Sequence, residues 1–278
     1  MTNAPTSERP AASVIVERRP IDGQPGFAGW VTMNRPDDMN PMDWGTIKAL
    51  RAAFDDLGAD QDVRVIFVTG SGRAFCAGGD MKRYVELQRD AVEFPRFLAD
   101  CHDLFIAVAK YPKPVVALVN GVSVAGGTEL IMFCDFAIAA DTARIGDAHL
   151  NFGMMGGGGV LAMLPLVVGP ARARELILTG RLLDAEEARD WGLVSRVVPA
   201  ADLEAVADRL AEQLAAKSPL AVKNAKGVLN SVFWSGADIE TRMDVEREVD
   251  LRYCLTSEDA QEGLAAFGEK RAPRFTGR

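Results

Sequence analysis

Apolar residues recur along this chain with two different periods. Short β-rich runs at residues 14–17, 29–33, 63–69, 115–119 and 136–140 read as strands, with Val31 and Met33 on one face of the second. Between them, Ile47, Leu50, Phe54 and Leu57 fall at helical spacing within 42–57, and a longer helix fills 90–110 before Pro112 and Pro114. The runs 63–69 and 115–119 are apolar at nearly every position and so read as buried strands; the first ends at Gly70, Ser71 and Gly72, the second at Asn120 and Gly121. Strand, crossover helix and strand in succession predict parallel pairing and an α/β core. The character changes after about Gly169: 171–179, 185–191 and 203–216 read as helices, 194–198 as one last strand, and everything from Pro219 to Pro273 as helical. The expected organisation is a tail at 1–12, a core at 13–200 and a helical region at 201–278, with no sharp linker and no exact internal repeat.

Composition narrows the class. The 278 residues suffice for one large domain, and 48% hydrophobic with 25% charged residues suits a globular protein. A formal charge of −8 leaves no broad basic field for nucleic acid or an anionic membrane, so neither is expected as a partner. No run reaches the ~18 apolar residues of a membrane span. The first ten residues are polar and Pro-bearing, lack the apolar stretch of a signal peptide, and read as a disordered tail. Cys76, Cys101, Cys134 and Cys254 are widely spaced and read as buried free thiols in a reducing cytoplasm. His102 and His149 are the only histidines, which argues against a zinc or iron site.

Candidate chemistry gathers at two glycine-rich turns. One is Ala74-Phe75-Cys76-Ala77-Gly78-Gly79-Asp80-Met81, after the strand at 63–69. The other is Asn120-Gly121-Val122-Ser123-Val124-Ala125-Gly126-Gly127-Thr128-Glu129, after the strand at 115–119. If those strands pair, both turns sit at one end of the sheet, where α/β proteins usually bind ligands. Glycine lets a backbone N–H approach a ligand closely, and in the second turn that N–H also opens a helix, where amide donors are free. Two such donors can converge on one oxygen. Either turn taken alone is also compatible with ordinary loop geometry.

Phe75-Cys76-Ala77-Gly78-Gly79-Asp80 and Asn120-Gly121…Gly126-Gly127-Thr128-Glu129-Leu130 resemble the two signature segments of the crotonase, or enoyl-CoA hydratase/isomerase, superfamily. The resemblance runs from about Val14 to Phe275. It includes Asn34-Arg35-Pro36…Met39-Asn40, Cys134-Asp135-Phe136 and Glu262-Gly263…Ala266-Phe267-Gly268-Glu269-Lys270-Arg271. It implies an α/β fold built as a spiral of ββα units with a helical trimerisation tail, assembled as a homotrimer or a dimer of trimers. It implies an acyl-CoA substrate, with coenzyme A arriving as part of that substrate and no permanently bound cofactor. The N–H groups of Gly79 and Gly126 would form an oxyanion hole for the thioester enolate. Met39, Ala77, Gly78, Asp80 and Met81 would embrace the coenzyme A, with Phe267 and Lys270 reaching it from this or a neighbouring subunit. Lys82 and Arg83 would either meet its phosphates or form a solvated helix face.

Hydration of a 2-enoyl thioester needs water activated at Cβ and a proton delivered at Cα, which two carboxyl groups can supply. Family hydratases use two glutamates. Glu129 occupies the first position and is the leading catalytic candidate. The second position, within Ala143-Arg144-Ile145-Gly146-Asp147-Ala148-His149-Leu150, holds His149, which can exchange a proton near neutral pH or simply fill and polarise the pocket. Asp147, two residues earlier, is expected on the opposite face and so as a weaker substitute. A second departure is Gly156-Gly157-Gly158-Gly159-Val160-Leu161-Ala162-Met163-Leu164, where the family's polar helix start is apolar. Val160 and Met163 would suit a hydrophobic or cyclic acyl group if they line the pocket, or core packing if they do not.

The leading expectation is a hydro-lyase acting on a 2-enoyl-CoA. Isomerisation, thioester hydrolysis, decarboxylation and epimerisation use the same enolate and stay open, as does a non-catalytic acyl-CoA binder. Gly121-Val122-Ser123-Val124-Ala125 is a near miss of a serine-hydrolase elbow, but no histidine follows at a suitable place. Trp44, Trp191 and Trp234 read as core or interface anchors, 240–252 as an exposed charge-laced helix, and His102 has no evident partner.

Overall fold

The apolar runs become the strands of two sheets in the computed structural model, which describes residues 12–234 and 236–278. The expected tail at 1–12 therefore lies, but for its last residue, outside the described residues. The chain begins with β1 (Val14–Pro20), β2 (Phe27–Met33), α1 (Trp44–Ala59), β3 (Val63–Gly70), β4 (Ala74–Cys76), α2 (Met81–Leu87) and α3 (Glu93–Lys110). It continues with β5 (Val115–Val119), β6 (Val122–Val124), α4 (Gly126–Phe133), β7 (Phe136–Ala140), β8 (Arg144–Gly146), α5 (Val160–Val168) and α6 (Pro170–Thr179). Then come β9 (Leu183–Asp184), α7 (Ala185–Asp190), β10 (Arg196–Val198), α8 (Leu203–Ala215), α9 (Pro219–Trp234), α10 (Ile239–Thr256) and α11 (Glu258–Glu269). A six-stranded sheet runs β1-β2-β3-β5-β7-β10 and a four-stranded one β4-β6-β8-β9. Only β1/β2 and β8/β9 are antiparallel.

The order of strands shows how the chain winds. Each pass lays one strand in the large sheet and the next in the small one: β3 then β4, β5 then β6, β7 then β8. Helices return the chain between passes, which is the ββα spiral expected. The three-residue strands of the small sheet were not legible, because a run that short shows no period.

Strand β3 is buried on both faces. Ile66 and Val68 join one apolar cluster with α1, α3 and α4, while Val65 and Phe67 join another with α8. Helix α1 is capped by Asp43, which accepts from Thr46 N, and buries Ile47, Leu50, Phe54 and Leu57 against the first cluster. On the far face, Leu203, Val206, Ala207 and Ala211 of α8 cover Val65, Phe67, Val116 and Leu118. The boundary drawn at residue 200 thus falls just before a helix that closes the sheet, and the separate helical region is α9–α11.

Helix α9 is tied back to the core by charge. Lys226 Nζ lies 2.7 Å from Asp135 Oδ2 and 2.9 Å from the Lys113 carbonyl, and the same Asp135 oxygen accepts from Val115 N. Burial pushes the Asp135 carboxyl upward, against the pull of Lys226. Trp234 at the end of α9 stacks on Phe133, which stacks on Phe105 of α3. Of the four cysteines, Cys76, Cys101 and Cys134 are buried as expected, but Cys254 is exposed on α10, a helix with no buried residue. No helix among the described residues is long and apolar enough to cross a membrane.

Removing one partner of a partly buried ion pair strands the other in a poorer solvent than water. Lys226→Met is expected to cost roughly 3 kcal/mol in denaturant unfolding, and Lys226→Met with Asp135→Asn distinctly less. Equal losses for the single and double variants would show that the pair contributes only packing.

Candidate active site

The glycine turns follow β4 and β6 rather than the long strands β3 and β5, because each long strand hands the chain to the small sheet first. β4 and β6 are parallel neighbours, so the turns leave the sheet side by side. Two asparagines secure the crossing. Asn40 Nδ2 donates to the Ser71 and Ala74 carbonyls, while Asn120 Nδ2 donates to the Gly72 and Ala74 carbonyls and its Oδ1 accepts from Gly70 N. Both lay within the motifs, but nothing local in the sequence announced this stitching role.

The loop of Met39 is laced to the first turn: Ala77 N donates to the Met39 carbonyl and Met42 N to the Gly78 carbonyl. Gly78 has φ +94°, and a Cβ there would lie 2.9 Å from the Ala125 Cβ, so the two turns touch at a position that only glycine fits. Ala125 itself has φ 52° and ψ −117°, a costly backbone held directly before Gly126. Neither Gly79 N–H nor Gly126 N–H has a hydrogen-bond acceptor among the described residues. Both glycines line one cavity, of about 60 Å³, together with Glu129 and His149.

Glu129 stands on the first turn of α4 and is 4% exposed. Its Oε1 accepts from Gly158 N at 2.8 Å and from Val160 N at 3.2 Å, two amides at the start of α5. Burial pushes its carboxyl upward; His149 and the two N–H donors oppose the shift. The run of glycines at 156–159 is therefore the cradle of the carboxylate, a role with no side-chain signature. A Cβ at Gly158 would fall 2.4 Å from Glu129 Oε2 and 2.6 Å from Phe105 Cε2.

His149 opens a short 3-10 turn after β8, and its Nδ1 lies 2.6 Å from Asp147 Oδ1. The expectation that Asp147 faces away is overturned, and it misread the strand period, since residues two apart share a face even in a regular strand. Here the strand ends at Gly146, Ala148 is left-handed at φ 57°, and the side chains of 147 and 149 meet. Burial alone would lower the His149 pKa, but the Asp147 hydrogen bond and the charges of Asp147 and Glu129 leave it raised.

The cavity wall comes from α2 and α3: Tyr84, Phe97, Leu98, Cys101 and Phe105, with Met42 and Ile47 opposite. Val160 and Met163 are buried in the apolar cluster and do not line this cavity. His102, exposed on α3, does have a partner: its Nε2 lies 2.6 Å from the Gly157 carbonyl, fastening the wall to the glycine cradle. Ser123 Oγ is fully buried on β6 without a hydrogen bond among the described residues, so nothing there activates it as a nucleophile.

The residues expected around coenzyme A divide into two groups. Met39, Ala77, Gly78, Asp80 and Met81 cluster at the laced turns. Asp80 caps α2 and pairs with Arg35, and Arg83 pairs with Asp43. Phe267 is 85% exposed on α11 and Lys270 ends that helix; neither belongs to the cavity wall of this chain.

The pattern of a family described as enoyl-CoA hydratase/isomerase matches residues 28–278. A probable enoyl-CoA hydratase of Mycobacterium tuberculosis is 39% identical over 251 residues, 90% of this chain and 95% of that one. A crotonyl-CoA hydratase of Syntrophomonas wolfei is 34% identical over 244 residues, 87% of this chain and 92% of that one. The crystal structure of an enoyl-CoA hydratase from Bacillus anthracis superposes with a TM-score of 0.88 at 32% identity, covering 96% of this chain and 100% of that one.

Gly158→Ala forces a methyl group into the Glu129 carboxylate. The expected cost is about 1–3 kcal/mol in denaturant unfolding, the range of overpacked cores. An unchanged midpoint would show that the cradle yields freely.

Proposed function

The chain belongs to the enoyl-CoA hydratase/isomerase family, and on that premise we propose that it adds water across the 2,3 double bond of a 2-enoyl-CoA thioester. The observation that carries this reading is that Gly79 and Gly126, whose backbone N–H groups have no acceptor among the described residues, line the cavity that holds Glu129. Amides fixed by their backbones need no reorganisation as charge develops on an oxygen between them, and each donor of such a hole is worth ~10²–10³ in rate.

The chemistry follows from the placement. The thioester oxygen sits between the two amides. Glu129 takes a proton from water, whose oxygen bonds to Cβ while the double-bond electrons move toward the carbonyl. The resulting enolate is held by Gly79 and Gly126, and a proton delivered to Cα restores the thioester. His149, in the same cavity, is the group placed to deliver it. The narrow space between aromatic rings favours a short acyl chain.

Coenzyme A is part of the substrate in this reading. The turns bearing Met39, Ala77, Gly78, Asp80 and Met81 would hold it, and the side chain of Arg83, 69% exposed beside them, supplies positive charge for its phosphates. Assembly as a trimer or a dimer of trimers is supported by the apolar surface that α9–α11 present, including Leu229, Leu255, Leu264 and Phe267 at 68–85% exposure. Assembly through that surface would let Phe267 and Lys270 of one subunit approach the coenzyme A of another.

Glu129→Gln keeps an oxygen for the Gly158 and Val160 amides but removes the base. Loss of enoyl-thioester absorbance with crotonyl-CoA should slow by about 10²–10⁴-fold, with KM and thermal stability little changed. Binding of acyl-CoA without turnover by the unmodified enzyme would replace hydration with another enolate reaction or with simple binding. For the assembly, sedimentation should give a species of three or six chains; a stable monomer at micromolar concentration would contradict it.

A further inference from the structure

We propose that Asp147 is a positioning residue: it fixes the tautomer and the charge of His149 and thereby makes His149 the proton carrier of the site. The inference rests on the hydration reading but is observable without it.

Asp147 is fully buried and makes one side-chain contact, Oδ1 to His149 Nδ1 at 2.6 Å. Its Oδ2 is buried with no hydrogen-bond partner. A carboxylate held this way is stable only beside positive charge, and His149 is the one basic group paired with it among the described residues. Ala148 adopts a left-handed backbone, uncommon for alanine, and this turn is what sets the two side chains together.

The contact has two consequences. Nδ1 carries its proton toward Asp147, so Nε2, without a partner among the described residues, is the nitrogen left for the cavity. The charge is also conserved. Two glutamates sharing one proton carry a single negative charge. Exchanging one for a protonated histidine alone would bring the sum to zero, whereas Glu129, Asp147 and protonated His149 together again sum to one negative charge. The other titratable groups facing the cavity, Tyr84 and Cys101 on α2 and α3, are kept neutral by burial, with the Cys101 thiol pushed up to about 12. The glycine cradle contributes only backbone.

In the reaction, the Nε2–H bond breaks as the Cα–H bond forms, and the enolate electrons return to restore the carbonyl. Neutral imidazole remains, still donating from Nδ1 to Asp147. The proton that Glu129 took from water then returns to Nε2, so one water is added and the site is regenerated. Because the His149 pKa is raised, the imidazolium persists above the usual histidine range, and activity falls on the alkaline side only when pH passes that raised value.

The test is a pH titration of the enzyme labelled with 15N-histidine. Only His102 and His149 contribute, and His102→Gln assigns them. The expected result is a proton on Nδ1 of His149 throughout, a titration above the ordinary histidine range, and a shift to lower pH in Asp147→Asn. In that variant the alkaline limb of kcat/KM for crotonyl-CoA should move down in step, with kcat above neutral pH about 10²-fold lower and KM little changed. Identical titration of His149 with and without Asp147 would overturn the proposal. Should Asp147→Asn not fold, an unprotonated Nδ1 on neutral His149 in the unmodified enzyme would overturn it equally. In the His149→Glu background the sign should reverse, Asp147→Asn now raising activity by relieving two adjacent carboxylates; a further loss there would count against the charge argument. An Asp147-dependent titration in an enzyme that hydrates no enoyl thioester would uphold the positioning role and remove the hydration reading.

Discussion

In the proposed reaction two backbone amides must point at one oxygen, and no rotamer can correct an error in either. Everything around the site answers that constraint. The amides belong to turns that leave adjacent strands of the small sheet, and the turns touch where Gly78 meets Ala125. Asn40 and Asn120 pin the strand crossings behind them, converging on the Ala74 carbonyl. The small sheet thus matters less for its own stability than for the spacing it imposes. Electrostatic stabilisation of this kind depends on donors that are already in place before charge develops.

The same economy of backbone governs the carboxylate. Glu129 is buried deeply enough that its charge is costly, yet two amides at the start of α5 and the imidazole of His149 support it. The glycine cradle that supplies those amides is in turn held by His102 from α3. The helix that walls the cavity and the loop that holds the Glu129 carboxylate are therefore tied together. The two histidines of the chain sit on opposite sides of that tie, His149 beside the carboxylate and His102 on the Gly157 carbonyl.

The long elements were legible because burial imprints a period on them. The strand at 115–119 and that at 136–140 match the structure residue for residue, and the face of α1 followed from four apolar positions. Gly79, Gly126, Glu129 and His149 were named from the sequence, and the structure brings all four to one cavity. What escaped was carried by backbone. Strands of three residues have no period; the Gly158 and Val160 amides have no letter of their own. Asp147 was placed on the wrong side by a misreading of the strand period, since residues two apart share a face. The resemblance of Phe267 and Lys270 to cofactor contacts concerns surfaces that a single chain does not bring to the cavity.

The tie between Lys226 and Asp135 joins positions 91 residues apart. Asp135 lies between the helix that carries Glu129 and β7, in the middle of the sequence and partly exposed. A ribosome makes that aspartate long before it makes its lysine. During synthesis, the segment joining α4 to β7 must hold a partly buried charge unneutralised, or leave that corner open, until α9 emerges. The central strands of the nascent chain can form early, but the corner beneath the helix of Glu129 closes only when the C-terminal arm arrives.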